Sequence, residues 1–250
     1  MTRTIAIANQ KGGVGKTTTT FALGHALAER GRTVLLVDLD PQSSLTIACG
    51  KDSKAEEANL YHVLGANEPG AKTLRDITVK VVKDLYLAPA DIALSLSESG
   101  LMLRMRREYV LQEALAGVKP DYVLIDCLPS LGILAINALM AASEVLIPTQ
   151  CEYLALRGLA MMYQTIDRVQ PANPPLKVLG ILPTFYDPRF VHNRGILATM
   201  RQQGLPVLPM TIGRSVRFAE SSLAHEAILT YDSHNPGAQA YRDLAEMIDG

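Results

Sequence analysis

The run Lys11-Gly12-Gly13-Val14-Gly15-Lys16-Thr17-Thr18 carries the residue types that bind a polyphosphate. Glycines let backbone N–H groups converge on phosphate oxygens, because no Cβ blocks the approach. A helix beginning near Lys16 aims the positive end of its dipole at the same anion. Lys16 is suited to β- and γ-phosphate contact, the Thr17 hydroxyl to Mg²⁺, and Thr18 to the α-phosphate. The ordinary spacing GxxxxGK[ST] is not met, since Gln10 stands where the first glycine would be, but the compact K-G-G-x-G-K-T-T keeps the same physical logic. Lys11 is a second lysine in a loop that needs one, and surface decoration is the usual fate of a lysine.

Two acidic segments accompany the loop. Asp38-Leu39-Asp40-Pro41-Gln42 follows an apolar run, and the C-terminal edge of a strand is where open α/β sheets place ligand chemistry. Taken alone, such a pattern also caps a turn. Residues 121–130 (DYVLIDCLPS) read as a hydrophobic strand ending in Asp126, the position of a carboxylate that holds a Mg²⁺-bound water. The cysteines Cys49, Cys127 and Cys151 are an odd set without CxxC spacing, which fits reduced, buried thiols of a cytosolic protein better than a metal cluster. His25 reads as packing or surface.

Positioning these groups requires strands and helices in alternation. Residues 4–9, 33–38, 122–126, 144–148 and 177–182 are continuous apolar runs of strand length. Between them, 17–30, 103–116, 131–142, 154–170 and 191–203 have helical patterns. Buried strands separated by helices predict a single-domain α/β P-loop fold, a mostly parallel twisted sheet flanked by helices on both faces. One domain over residues 1–250 is the economical organisation. Residues 50–80 are more polar and irregular, and the prolines of 171–175 end a helix before the next strand.

Composition narrows the function classes. The 250 residues are 48% hydrophobic, and 24 Lys+Arg against 25 Asp+Glu leave a net charge of -1. A neutral total excludes a protein coated in basic charge, but not a local patch. No apolar run approaches the roughly 18 residues of a membrane span, and the longest, 134–142, is broken by Asn137. Absence of Trp and 5% aromatics exclude a stacking platform for single strands.

The loop, the DxDPQ box at 38–42 and the strand ending in Asp126 together resemble the deviant Walker A ATPases of the ParA/MinD family, closest to small ParA partition proteins of the Soj type. The resemblance runs along essentially the whole chain: Gln150–Gly158 (QCEYLALRG) is similar to the family's Q-x-E-x-x-A-x-x-G segment, and 185–189 and 212–220 are similar to later family blocks. It implies ATP or ADP with Mg²⁺ as cofactors. It implies that Lys11 reaches across an ATP-dependent homodimer to the partner's nucleotide, and that Asp40 orients the attacking water. Asp38 would stand near the Mg²⁺ shell with Thr17 and Asp126. Nucleotide contacts would come from Lys11, Gly12, Gly13, Val14, Gly15, Lys16, Thr17, Thr18, Thr184, Gly213 and Arg214. Two positions differ from the family pattern: Leu128 replaces the first proline of D-x-P-P, and Gly213 the proline of I-P-R. No N-terminal helix-turn-helix extension is expected.

Between positions 186 and 219 lie Arg189, Arg194, Arg201, Arg214 and Arg217 against Asp187 alone, five minus one giving +4. Scattered surface arginines are one reading. The other is contact with the DNA backbone, which needs clustered cations and no base code. The resemblance implicates Arg189 and Arg217 in nonspecific binding of double-stranded DNA, with Arg194 and Arg214 in the same patch. The expected protein is thus a cytoplasmic, nucleoid-associated ATPase. Its hydrolysis would be stimulated by a ParB-like or other cargo adaptor with a basic segment. A MinD-like membrane-surface regulator is the alternative, but the tail 237–249 has one Arg against three acids, net -2, which anionic lipid repels.

Overall fold

The structure is a computed structural model and describes residues 2–51, 58–65, 72–130 and 132–250. Its centre is a seven-stranded sheet of β1 (Arg3–Ile7), β2 (Val34–Asp38), β3 (Val79–Val82), β4 (Leu85–Ala88), β5 (Tyr122–Asp126), β6 (Glu144–Gln150) and β7 (Lys177–Thr184). The order across the sheet is β3-β4-β2-β5-β1-β6-β7. Every neighbouring pair is parallel except the β3–β4 hairpin at the edge.

Why these segments are strands follows from their double burial. VLLVD of β2 and YVLID of β5 are buried at every position. The pleat sends alternate residues to opposite faces. Ile5, Ile7, Val34 and Leu36 join one apolar cluster; Ala6, Leu35 and Val37 join the other. The helices Lys16–Glu29 and Pro236–Asp249 cover the first face. The helices Ile133–Ala141 and Ala155–Val169 cover the second. The first helix approaches closely because of Gly24: a Cβ there would lie 2.7 Å from a Leu36 methyl. The architecture is therefore the expected α/β P-loop fold with helices on both faces.

The five expected strands are present, with ends displaced by up to two residues. The β3–β4 hairpin was not expected. Its strands are four residues each and turn at Asp84, whose positive φ of 61° suits a tight turn. The expected helix over 103–116 is corrected. The helix Leu94–Met102 ends before it, Arg106 takes a left-handed φ of 54°, and the 3₁₀ turn Arg107–Tyr109 leads into the helix Val110–Leu115. Leu103 and Met105, inside the expected helix, lie outside any helix and are 88% and 94% exposed. The first position of the expected helix over 131–142, Leu131, and parts of the irregular 50–80 stretch lie outside the described residues.

Candidate functional site

The phosphate loop joins the end of β1 to the first helix. Gly13 (φ 71°) and Gly15 (φ 89°) hold left-handed conformations that a side chain would strain. A Cβ at Gly15 would also stand 3.8 Å from Thr184 and Phe185. Thr184, at the end of β7, is buried and donates its hydroxyl to the Val14 carbonyl at 2.8 Å, pinning the loop from below. Lys16 is buried at the start of the helix, and its Nζ donates back to the Lys11 carbonyl at 3.2 Å. Burial lowers the pKa of this ammonium, and Asp126 opposes that fall.

Three acids converge beside the loop because β2 and β5 are in-register neighbours, Asp38 opposite Asp126. Asp126 accepts the Thr17 hydroxyl at 2.7 Å and, more weakly, that of Thr20 at 3.4 Å. Asp38 accepts the Thr46 N–H at 2.9 Å, the Thr46 hydroxyl at 2.7 Å and the Asp40 N–H at 3.2 Å. Both carboxylates are essentially inaccessible. Desolvation pushes Asp126 up to about 8, reinforced by the neighbouring Asp38 charge; desolvation pushes Asp38 up to about 6 against its hydrogen bonds. Asp40 is half-buried and turns toward open space, its Oδ1 accepting the Gln42 N–H at 2.9 Å.

These residues fit a hard divalent cation carried by a polyphosphate. The donors near Lys16 are hydroxyl and carboxylate oxygens, the type Mg²⁺ prefers. Two buried acids raised by burial and mutual repulsion would be relieved by a cation. Among the described residues no group of three or more His, Cys, Asp or Glu could hold a metal ion alone. An open cavity of about 570 Å³ runs from Gly13, Lys16, Thr17 and Asp40 to Phe218 and Ser222, with Gly12 and Thr18 on its wall. Gly213 and Thr184 line a much smaller adjoining cavity of about 50 Å³. Arg214 stacks over Phe185, its guanidinium carbon 5.7 Å from the ring centre.

The second loop lysine folds back on its own chain. Lys11 Nζ donates to Gln150 Oε1 at 2.9 Å and pairs with Glu152, while Gln150 Nε2 donates to the Gly13 carbonyl at 2.9 Å. The candidate DNA arginines are not a bare patch. Arg189 makes a bidentate pair with Asp187. Arg217 pairs with Glu220 at 2.8 Å and lies 3.7 Å from Asp232. Arg194 donates to the Pro188 carbonyl, and Arg214 lies 4.0 Å from Glu152, the two lining a separate cavity with Phe190 and His192. The +4 count stopped one residue short of Glu220. Sequence reasoning also missed Thr46, whose hydroxyl donates to Asp38 and accepts the Ala90 N–H at 3.0 Å. No local motif marks it. Gln150 and Glu152 stood in a flagged segment, but nothing local ties them to Lys11.

This strand–loop–helix unit at the C-terminal edge of a parallel sheet defines a P-loop NTPase. The family model described as AAA domain matches residues 2–178. The chain is 41% identical over 253 residues to the chromosome partitioning protein ParA of Caulobacter vibrioides, across 98% of this chain and 93% of that protein. It is 40% identical over 252 residues to the sporulation initiation inhibitor protein Soj of Bacillus subtilis, across 99% of this chain and 98% of that one. A crystal structure described as cobyrinic acid a,c-diamide synthase from Mycobacterium smegmatis, with bound ATP analog and magnesium, matches with a TM-score of 0.87 at 42% identity, covering 99% of this chain and 94% of that chain. The chain belongs to the ParA/MinD family of ATPases.

Proposed function

We propose that the protein is an ATP-driven switch of the ParA type. ATP with Mg²⁺ assembles a sandwich homodimer that binds double-stranded DNA without sequence preference. Hydrolysis, stimulated by a ParB-like or other cargo adaptor carrying a basic segment, releases the DNA and so segregates it or positions a cargo at the nucleoid. The observation that carries this reading is the wiring of the phosphate loop to the acids: Thr17 to Asp126, Asp126 beside Asp38, and Asp38 to the Asp40 backbone.

Within it, Lys16 and the loop N–H groups hold the β- and γ-phosphates, with Val14 supplying one of those N–H groups. Thr17 and Asp126 would hold Mg²⁺, directly or through water, with Asp38 orienting that shell, and the bound ion would neutralise charge on the phosphates. Asp40, facing the cavity, orients the attacking water, which in-line phosphoryl transfer needs more than it needs a strong base. The nucleoside lies along the cavity toward Phe218, with Thr184 and Gly213 in the small adjoining cavity and Arg214 reaching it over the Phe185 ring. Lys11 acts on the partner's nucleotide.

The helix Pro236–Asp249 does not supply the amphipathic surface that the membrane alternative needs. Its apolar residues Ala238, Tyr241, Leu244, Ala245 and Ile248 are buried in the core and Met247 alone is exposed, so this helix offers lipid no apolar face. The test is a titration of duplex DNA with no nucleotide, ADP or ATP, for wild type and Asp40→Ala. Tight binding is expected with ATP alone and for longer in the variant; equal binding in all three states sinks the switch. A synthase role would instead show as ATP turnover that follows a corrinoid acceptor and ignores DNA.

A further inference from the structure

Two helix ends meet beside the nucleotide cavity. The helix Ser44–Ala48 closes on Gly50 in a left-handed conformation (φ 69°). The Gly50 N–H donates to the Ile47 carbonyl at 2.9 Å and the Lys51 N–H to the Thr46 carbonyl at 3.1 Å. The helix Arg217–Leu223 closes in the same way: the His225 N–H donates to the Ser222 carbonyl at 3.2 Å and the Glu226 N–H to the Ser221 carbonyl at 3.0 Å. This closure holds its turning residue at φ 55°, where glycine is the unstrained choice, yet that residue is His225. A side chain in such a conformation costs energy and persists only where other contacts over-determine it. The contact here is the imidazole itself, which reaches the first helix with Nδ1 2.7 Å from the Ile47 carbonyl. A carbonyl only accepts, so Nδ1 carries the proton. The two turns are also close: a Cβ at Gly50 would stand 3.3 Å from His225 Cβ.

Both segments line the one cavity, Ser44, Ile47 and Ala48 from the first helix, Phe218, Ser222 and Glu226 from the second helix and the turn after it. The first helix is also tied to the acids. Thr46 bonds Asp38 through its N–H and its hydroxyl, and the Ser43 N–H donates to the Asp40 carbonyl at 2.8 Å. We propose that His225 is a positioning residue, a clasp that joins the helix carrying Thr46 to the wall along the nucleoside and that parts before nucleotide leaves. The inference rests on nucleotide occupying this cavity and adds a threshold to its release. While the clasp is closed, the Asp38–Asp40 turn and the nucleoside wall keep a fixed separation. The clasp is one solvent-exposed hydrogen bond, so it slows release without blocking it.

Two measurements test it. The first is amide hydrogen exchange over residues 44–51 in the nucleotide-free protein, and it needs no ligand. His225→Gly removes the imidazole and keeps the left-handed turn without strain. It should speed exchange at the Gly50 and Lys51 amides about two- to tenfold, the range of one exposed hydrogen bond. His225→Asn tolerates the same backbone and carries its Nδ2 as many bonds from the chain as the imidazole Nδ1, so it should restore part of the protection. The second is release of fluorescently labelled ADP in the presence of Mg²⁺, chased with unlabelled ADP. Release should be about two- to tenfold faster from His225→Gly than from wild type, and intermediate from His225→Asn. Unchanged exchange in His225→Gly overturns the proposal. So does unchanged release from His225→Gly beside a wild type that binds the labelled ADP, or equally accelerated release from both variants. If wild type binds no labelled ADP, the nucleotide reading of the cavity fails and the claim about release with it, while exchange still reports whether His225 holds the helix.

Discussion

His25, on the first helix, has a buried Nε2 with no hydrogen-bond partner, and its ring meets Phe21 edge-on at 4.8 Å. Desolvation drops its pKa to about 4, and the charge of Glu29 recovers only part of the fall. The folded chain therefore refuses a proton that the unfolded chain accepts near pH 6.5. The stability this represents is complete above pH 6.5 and is lost as pH falls toward 4. Between pH 7.5 and pH 5 the loss from this group amounts to about 2 kcal/mol. Urea unfolding at the two pH values should show wild type losing about that much more than His25→Leu; equal losses would mean the imidazole titrates normally. The chemistry-bearing residues were legible one at a time for a related reason. Lys16, Thr17, Asp40 and Asp126 have roles that follow from residue type and a few neighbours. Thr46, Gln150 and Glu152 do not, because the groups they serve lie 8, 137 and 141 residues away along the chain.

Among the elements, the one polar residue in the 134–142 run carries a structural load. Asn137 is fully buried, and its amide donates to the Arg107 and Ile133 carbonyls at 2.9 Å each while accepting the Leu111 N–H at 3.1 Å. It fastens the 3₁₀ turn and the helix Val110–Leu115 to the helix Ile133–Ala141. Asn137→Leu is close in size and completes the apolar run, yet it orphans the buried Leu111 N–H and strips a donor from the part-buried Arg107 carbonyl. The expected cost is about 2–3 kcal/mol, or a melting temperature lower by about 5–10 °C for a chain of this length; an unchanged melting temperature would contradict the bracket. The same region shows where pattern reading stops. The double-buried strands announce themselves as unbroken apolar runs. The segment 94–115 does not, because its division depends on a left-handed Arg106 and on Asn137, which reaches it from another helix. The β3–β4 hairpin is short, with one strand half-exposed, and leaves too little periodicity to read.

For the whole molecule, a net charge of -1 conceals arginines already partnered at short range. Local pairing lowers the field a free protomer presents to DNA, and phosphate binding must compete with Asp187 for Arg189 and with Glu220 for Arg217. A dimer that presents both sets together gains by repetition what each protomer lacks. If that is how binding becomes conditional on nucleotide, removing a competing acid strengthens it. Glu220→Gln and Asp187→Asn should each raise ATP-state affinity for duplex DNA about two- to fivefold at low salt. Each dimer would then engage about two more phosphates, steepening the plot of log affinity against log salt by about 2. Fluorescence anisotropy at several salt concentrations reads both quantities. Unchanged affinity and slope in both variants would remove Arg189 and Arg217 from the DNA face and leave Arg194 and Arg201 as the cations to examine.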